Sequence, residues 1–185
     1  LAIPDDAPAE LTPADVIRWV LQAPVDLLWN GGIGTYVKAT DEGHTEVGDR
    51  ANDQVRVNGN QMRARVVGEG GNLGFTQEAR VESALRGVRL DSDAIHNSGG
   101  VDLSDHEVNY KVLLAPLVRS GALTPAGRHD ALFGAVDDAC ESVLAHNRSQ
   151  SLCLSLDERR SRDDPQAFLW AIEQLCQSQG ADPRE

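Results

Sequence analysis

The feature that most constrains the fold of this 185-residue sequence is a unit that recurs three times along the chain. In each case a short apolar run leads into a loop rich in glycine and asparagine, and a helix start follows the second and third loops. The loops are Asn30–Gly34, Gly68–Gly74 and Asn97–Val101. This order is typical of buried strands in an α/β protein. Because open parallel sheets bind ligands at the carboxyl ends of their strands, we expect the three loops to converge on one crevice.

The apolar runs and helix signals together predict the fold class. Val25–Trp29 and Arg65–Val67 are the first two expected strands, and either Val88–Leu90 or Ala94–Ile95 supplies a third. Expected helices begin at Thr12-Pro13, Thr76, Ser104, Thr124-Pro125 and Asp164-Pro165, with polar residues 148–163 as a connection. We therefore predict an α/β fold, a partial Rossmann-like parallel sheet followed by a helical C-terminal region. The expected domains are an extended lead-in at 1–10, a partial dinucleotide-binding domain at 11–120 and a helical region at 121–185.

The segment between the first two glycine loops carries little periodicity. Residues 40–61 are polar, so we expect an irregular excursion with a hairpin turn at Asn58-Gly59. Lys38, just before this segment, is interpreted as a surface lysine rather than a catalytic amine.

The charge balance excludes several classes of function. The formal net charge is −12 and no basic cluster is present, which argues against a nucleic-acid partner or an anionic membrane surface. No apolar run approaches the length needed to span a membrane. The three cysteines are widely separated, which argues against a disulfide framework and favours a reducing cytoplasm.

A metal site is also not expected. His96, Asp102, Asp105 and His106 are suitable ligand types, but they lack a paired-histidine spacing. A solvated acidic loop with helix caps accounts for them better.

The glycine loops favour a flat cofactor. Glycine lets the backbone approach a ring or ribose closely, and side-chain amides hydrogen-bond a carboxamide or hydroxyl groups. The alternative is that these glycines and asparagines only make turns; three loops of the same composition make that alternative weaker. A phosphate-binding GxGxxG pattern is absent, because Val37 and Leu73 stand where its third glycine is required. We therefore expect only half of a dinucleotide site here.

The segment Ser104–Glu107 has the pattern of a capping box, in which Ser104 and Glu107 satisfy free amides at a helix start. A helix start also attracts anions, so a substrate carboxylate beside the Ser104 hydroxyl is compatible with this interpretation.

Four stretches resemble the large bacterial NAD-specific glutamate dehydrogenases. They are DLLWNGGIGTYVKA at 26–39, VGDRAND at 47–53, VVGEGGNLG at 66–74 and NSGGVDLSDHEVN at 97–109. These stretches are long and unusual, and the resemblance is strongest from Leu11 to Leu114 and looser onward.

The resemblance implies a role in the oxidation of L-glutamate to 2-oxoglutarate and ammonia with NAD as hydride acceptor. It implies cofactor contacts from the first two loops and from Asn97, and substrate contacts from Val101 and Ser104. The cofactor residues of the first two loops are Asn30, Gly31, Gly32, Glu69, Gly70 and Asn72. It also implies a homo-oligomeric full-length protein.

No catalytic residue is assigned to this chain, because the family's catalytic lysine and aspartate, like its phosphate-binding turn, are expected upstream of Leu1. The chain is thus interpreted as part of a longer enzyme and is expected to be inactive alone. The alternative is a non-catalytic α/β module whose helical tail serves assembly or regulation.

Overall fold

The computed structural model describes residues 10–179 as a mixed α/β protein, and the expected lead-in at 1–10 lies almost wholly outside this range. The chain divides into two compact units, residues 1–143 and 144–185. The first unit contains strands β1 Leu27–Asn30, β2 Val37–Lys38, β3 Val57–Asn58 and β4 Val66–Glu69. The helices are α1 Pro13–Leu21, α2 His44–Val47, α3 Gln77–Leu85, α4 Asp93–His96, α5 Asp102–Arg119, α6 Pro125–Gly134, α7 Val136–Asp163 and α8 Pro165–Gln179.

The strands form two small parallel pairs. β1 pairs with β4 in a register that sets Leu27 opposite Val66 and Asn30 opposite Glu69. β2 pairs with β3, and single parallel bridges extend the pairs at Phe75 and Arg89. Because β1 and β4 run parallel and end opposite each other, the loops that follow them leave the same edge.

The third expected strand is reduced to one bridge. Arg89 pairs with Val66, so the Val88–Leu90 interpretation is correct in position. Ala94–Ile95 lies in helix α4. The hairpin turn expected at Asn58-Gly59 is wrong, because β3 runs parallel to its partner and continues into a 3₁₀ turn, Gly59–Gln61.

The core lies between the strand pairs and α3. Its buried members are Val37, Val57, Met62, Ala64, Val67, Phe75, Ala79 and Val88. Val37 and Val67 are fully inaccessible, and each contributes about 2 kcal/mol through the removal of apolar surface from water.

Lys38 was expected at the surface, but it is 8% exposed and its Nζ donates to the Ala39 carbonyl oxygen. Lys38 is buried because it lies in β2, where it pairs with Asn58 of β3. The strand context outweighs the preference of a lysine side chain for water.

Local capping explains where the first and third helices begin. The Asp15 amide donates to Thr12 Oγ1 and the Asp15 carboxylate accepts from the Thr12 amide, which completes a capping box. Thr76 caps α3 by accepting from the Ala79 amide. Both helix starts confirm the sequence expectation.

The helical region departs from expectation at two places. The helix expected to begin at Thr124-Pro125 is short: α6 ends at Gly134, and α7 begins at Val136 after Ala135. The polar stretch 148–163 is helical rather than a connection, because it contains neither proline nor glycine and its charges pair one turn apart, as in Glu158 with Arg162. Within residues 10–179, no helix combines the length and the apolar character needed to cross a membrane.

Candidate functional site

The site begins where β1 and β4 end side by side. The Gly70 amide donates to the Asn30 carbonyl oxygen at 2.7 Å, so the parallel pairing continues one residue into the loops. The Asn30 side chain turns back on its own loop, where Oδ1 accepts from the Gly32 amide at 3.3 Å. These bonds fix the first two glycine loops at a common edge.

The first two loops touch through positions that only glycine can occupy. A Cβ atom at Gly71 would lie 2.5 Å from the Gly32 carbonyl oxygen, which belongs to the backbone and cannot swing away. A Cβ atom at Gly74 would overlap the Asn30 amide and lie 2.6 Å from Glu69 Oε1. The glycines are therefore required by the close approach of the loops.

The third loop joins the second through two asparagines. Asn97 Nδ2 donates to Asn72 Oδ1 at 2.5 Å, although the two residues are 25 positions apart in sequence. Asn97 is 9% exposed, whereas Asn72 is exposed. The structure thus brings Asn30, Asn72 and Asn97 into one continuous group of loops, which confirms the convergence expected from the sequence.

One polar atom in this group has no partner. Asn30 Nδ2 is buried beside Gly74 and makes no hydrogen bond with any of the residues that the structure describes. Buried amide groups are almost always hydrogen-bonded, so this atom is a donor available to a bound ligand.

Trp29 covers the backbone of the second loop. A Cβ atom at Gly70 would lie 2.9 Å from Trp29 Cζ2, and one at Gly68 would meet the same indole. Trp29 is itself 58% exposed. Sequence reasoning did not single it out; the signal was its position one residue before Asn30, where strand alternation turns its side chain to the surface.

Glu69 has a different environment from the neighbouring glycines. Its side chain is fully buried, and its two oxygens accept from the two Nη atoms of Arg80 on α3. Arg80 Nη1 also donates to the Asp91 carbonyl oxygen at 2.7 Å. The Glu69 carboxylate therefore forms an internal ion pair with Arg80, and this pair stabilises the second glycine loop.

The residues expected to contact substrate lie together at the start of α5. Val101 is the N-cap residue and is partly exposed, and Ser104 is exposed in the first turn with its Oγ donating to the Val101 carbonyl oxygen at 2.8 Å. The capping box expected at Ser104 is wrong, because the helix begins earlier, at Asp102. Glu107 instead pairs with Lys111, whose hydrogen bond and charge lower the pKa of the Glu107 carboxyl. The turn at Asn97 runs directly into the helix, since the Leu103 amide donates to the Ser98 carbonyl oxygen, so Ser104 lies inside the first turn.

Comparison with known proteins identifies the family. The family model described as bacterial NAD-glutamate dehydrogenase, catalytic domain, matches residues 2–157. The NAD-specific glutamate dehydrogenase of Pseudomonas aeruginosa is 54% identical over 153 residues, which is 83% of this chain and 9% of that protein.

Proteins of the same name from two other organisms give similar values. That of Mycobacterium tuberculosis is 54% identical over 80% of this chain and 9% of its own length. That of Halomonas elongata is 50% identical over 83% of this chain and 10% of its own length. The chain therefore spans about a tenth of the length of these relatives. On the family match and the identity to these relatives, the chain belongs to the bacterial NAD-glutamate dehydrogenase family.

Proposed function

We propose that this chain forms the nicotinamide side of the cofactor site in an NAD-dependent glutamate dehydrogenase. The reaction converts L-glutamate, NAD⁺ and water into 2-oxoglutarate, ammonium, NADH and a proton. The observation that carries the proposal is the continuous group of asparagine and glycine loops at the shared end of β1 and β4. Ligands of open α/β sheets bind at this end of the strands. The three relatives are all named as NAD-specific enzymes, which supports NAD as the cofactor.

The Asn72–Asn97 pair is suited to a carboxamide. Their mutual bond uses Asn72 Oδ1 and one Asn97 N–H group, which leaves the Asn72 amide nitrogen as a donor and Asn97 Oδ1 as an acceptor. The nicotinamide carboxamide offers one acceptor and two donors, so it matches this combination. Gly31, Gly32 and Gly70 let the ring and its ribose approach the backbone.

Asn30 and Glu69 have distinct roles in this proposal. The buried Nδ2 atom of Asn30 is the remaining donor for a cofactor hydroxyl group. Glu69 acts indirectly, because its ion pair with Arg80 holds the loop that carries Gly70 and Asn72. Hydride transfer is the chemistry of the cofactor, and the chain contributes orientation rather than a catalytic group.

The start of α5 is the proposed substrate contact. Val101 supplies an apolar surface and Ser104 a hydroxyl group for the distal carboxylate of L-glutamate or 2-oxoglutarate. Helix amides there favour an anion. Asp102 and Asp105 belong to the same turn, so neutralisation of the substrate carboxylate requires cations from the rest of the enzyme.

The finer architecture follows from the same proposal. The strands and loops form part of a Rossmann-like domain at 11–120, with a helical region at 121–185, in a homo-oligomeric cytoplasmic enzyme without a nucleic-acid partner. The order of strand, glycine loop and helix at β4 and α3 is that of a Rossmann-like unit, and it supports this assignment. The three free cysteines and the acidic composition support the location and the lack of a nucleic-acid partner.

The substitution Asn72→Asp in the full-length protein tests the proposal. It keeps the acceptor for Asn97 but removes the donor for the carboxamide, so we expect kcat/KM for NAD to fall about 10- to 100-fold. The matched control is Asn109→Asp on the exposed face of α5, which is expected to leave kcat/KM within about twofold.

A binding titration separates the proposal from the non-catalytic alternative. NADH fluorescence is followed while the full-length wild-type and Asn72→Asp proteins are titrated. The proposal predicts a saturable change that Asn72→Asp weakens. Unchanged kinetics in Asn72→Asp, or a flat wild-type titration, would contradict it.

A further inference from the structure

We propose that Arg80 is a positioning residue that sets the geometry of the Asn72–Asn97 pair. This inference rests on the proposed function, since it assigns a role to a residue behind the nicotinamide loops. Arg80 lies on α3 and is 8% exposed. It is therefore too buried to contact the cofactor directly.

The Arg80 guanidinium connects the buried carboxylate of Glu69 with the partly buried carboxylate of Asp93. On one side it forms a two-pronged ion pair with Glu69, the last residue of β4. On the other side Nη2 lies 3.5 Å from Asp93 Oδ1, where the Asp93 side chain is 13% exposed. A planar guanidinium can hold both carboxylates at fixed angles, which a lysine ammonium cannot do.

Asp93 carries this constraint to both asparagines. Its Oδ2 atom accepts from the Leu73 amide at 2.7 Å, next to Asn72 in the second loop. Its backbone carbonyl oxygen accepts from the Asn97 amide at 2.7 Å, at the end of α4. One aspartate therefore holds the backbones on both sides of the Asn72–Asn97 hydrogen bond, and Arg80 holds that aspartate.

Leu73 gives a second reason why this support is needed. Its φ of 58° is in the left-handed region, where it is the one non-glycine residue among those described. Such a conformation persists only when its surroundings fix it. The bond from the Leu73 amide to Asp93 is the contact that does so, and it orients the Asn72 side chain toward Asn97.

The alternative is that Arg80 only stabilises the fold through its packing over the Phe75 ring, 5.7 Å from the ring centroid. The chain offers a matched control for this alternative. Arg56 is 5% exposed and is likewise held by carboxylate and carbonyl groups, with Nε donating to the Thr35 carbonyl oxygen at 2.8 Å and Nη1 to Asp53 Oδ1 at 2.5 Å. These two partners lie just before β2 and between β2 and β3, and neither belongs to the Asn72 or Asn97 loop.

The experiment compares Arg80→Lys with Arg56→Lys in the full-length protein. Each variant is measured for thermal stability, for kcat and KM, and for the dissociation constants of NADH and ADP-ribose. ADP-ribose carries the phosphates and both riboses but no nicotinamide. A residue that positions nicotinamide contacts affects NADH selectively, whereas general loss of stability affects both ligands alike.

For Arg80→Lys we expect the NADH dissociation constant to rise about tenfold, equivalent to about 1.4 kcal/mol, with ADP-ribose binding within about twofold of wild type. Arg56→Lys is expected to lower thermal stability while leaving the ratio of the two dissociation constants unchanged. Equal effects of Arg80→Lys on both ligands, or none on either, would overturn the inference.

A second variant tests the inference if the Arg80→Lys protein does not fold. Asp93→Asn keeps an acceptor for the Leu73 amide but removes the charge that faces Arg80, and it is expected to give the same selective loss of NADH affinity. An unselective result for a folded Asp93→Asn protein overturns the inference equally. If Asn72→Asp impairs activity but Arg80→Lys and Asp93→Asn are unselective, the inference alone fails. If Asn72→Asp also has no effect, the proposed function fails with it.

Discussion

The loop region, residues 25–101, and the helical region, residues 102–179, are held by different kinds of contact. In the loop region, polar side chains bond to partners remote along the chain, as Arg56 does with Thr35 and Asn97 with Asn72. In the helical region, ion pairs such as Glu107 with Lys111 join residues one turn apart. Remote contacts fix the relative positions of loops, whereas local pairs support only the helix that contains them.

The burial of apolar side chains is also greater in the loop region than in the helical region. All eight members of the buried cluster lie in the loop region. In the helical region Leu113 and Phe133 are 68% and 75% exposed. A groove of about 370 Å³ between α5, α6 and the start of α7 is lined mainly by apolar side chains. A substitution in the loop region therefore has more remote partners to disturb.

The largest effect is expected where backbone meets backbone. Gly71→Ala places a Cβ atom 2.5 Å from the Gly32 carbonyl oxygen, so the two loops must separate. We expect kcat/KM of the full-length protein to fall about 100-fold, because the proposed cofactor contacts of both loops would be misplaced. Steady-state kinetics with NAD and glutamate measure it.

The control for that substitution lies in the helical region. A Cβ atom at Gly134 meets nothing within 4 Å, so Gly134→Ala is expected to leave kcat/KM within about twofold of wild type. Equal kinetics for the two variants would remove the distinction between the regions.

An intermediate effect is expected from the core. Val67→Ala removes two methyl groups from a fully buried side chain and lowers the local free energy of opening by about 2 kcal/mol. Amide hydrogen exchange in peptides that cover β4 should accelerate about 30-fold. Exposed Leu113→Ala serves as the comparison and should change exchange in α5 by less than about threefold. Comparable acceleration in the two segments would mean that burial does not separate the regions.

The smallest effect concerns Asp49 and depends on pH. Hydrogen bonds from Asn52 and Thr35, with the Arg56 charge, lower the pKa of the Asp49 carboxyl. The charged form is therefore favoured in the folded state. Its contribution to stability is present above the unfolded pKa, about 3.9, and is lost as pH falls through the lower folded value.

Asp49→Asn removes that contribution. At about pH 7 we expect a loss of about 0.5–1 kcal/mol in the free energy of local opening of residues 49–58, and a smaller loss at about pH 3. Hydrogen exchange corrected for its intrinsic pH dependence measures both, with exposed Asp41→Asn as control. A difference that grows as pH falls would contradict the assigned sign.

Local signals in the sequence predicted a large part of this structure. Thr12 and Thr76 mark helix starts because capping depends on residues three positions away. The convergence of the first two loops was predictable because the parallel strands β1 and β4 end together and bring their loops together. The Asn97 loop follows helix α4 instead of a strand, and it joins the group through its bond to Asn72. The helical state of 148–163 was missed because its polar side chains pair along the helix and need no buried face.

Contacts remote in sequence account for the rest. Strands β2 and β3 are two residues each and carry no periodicity, so only their pairing defines them. The burial of Glu69 depends on Arg80, which sits on the following helix with no local pattern to link them. The resemblance to the family was the reason for predicting Glu69 as a cofactor contact. The ion pair between Glu69 and Arg80 is seen only in the structure.

The most direct test of the account is the structure of the full-length protein with NADH bound, determined by cryo-electron microscopy. The account predicts that the nicotinamide carboxamide lies within hydrogen-bonding distance, roughly 2.7–3.2 Å, of the Asn72 or Asn97 side chain. A dinucleotide whose nicotinamide binds away from the shared end of β1 and β4 would contradict it.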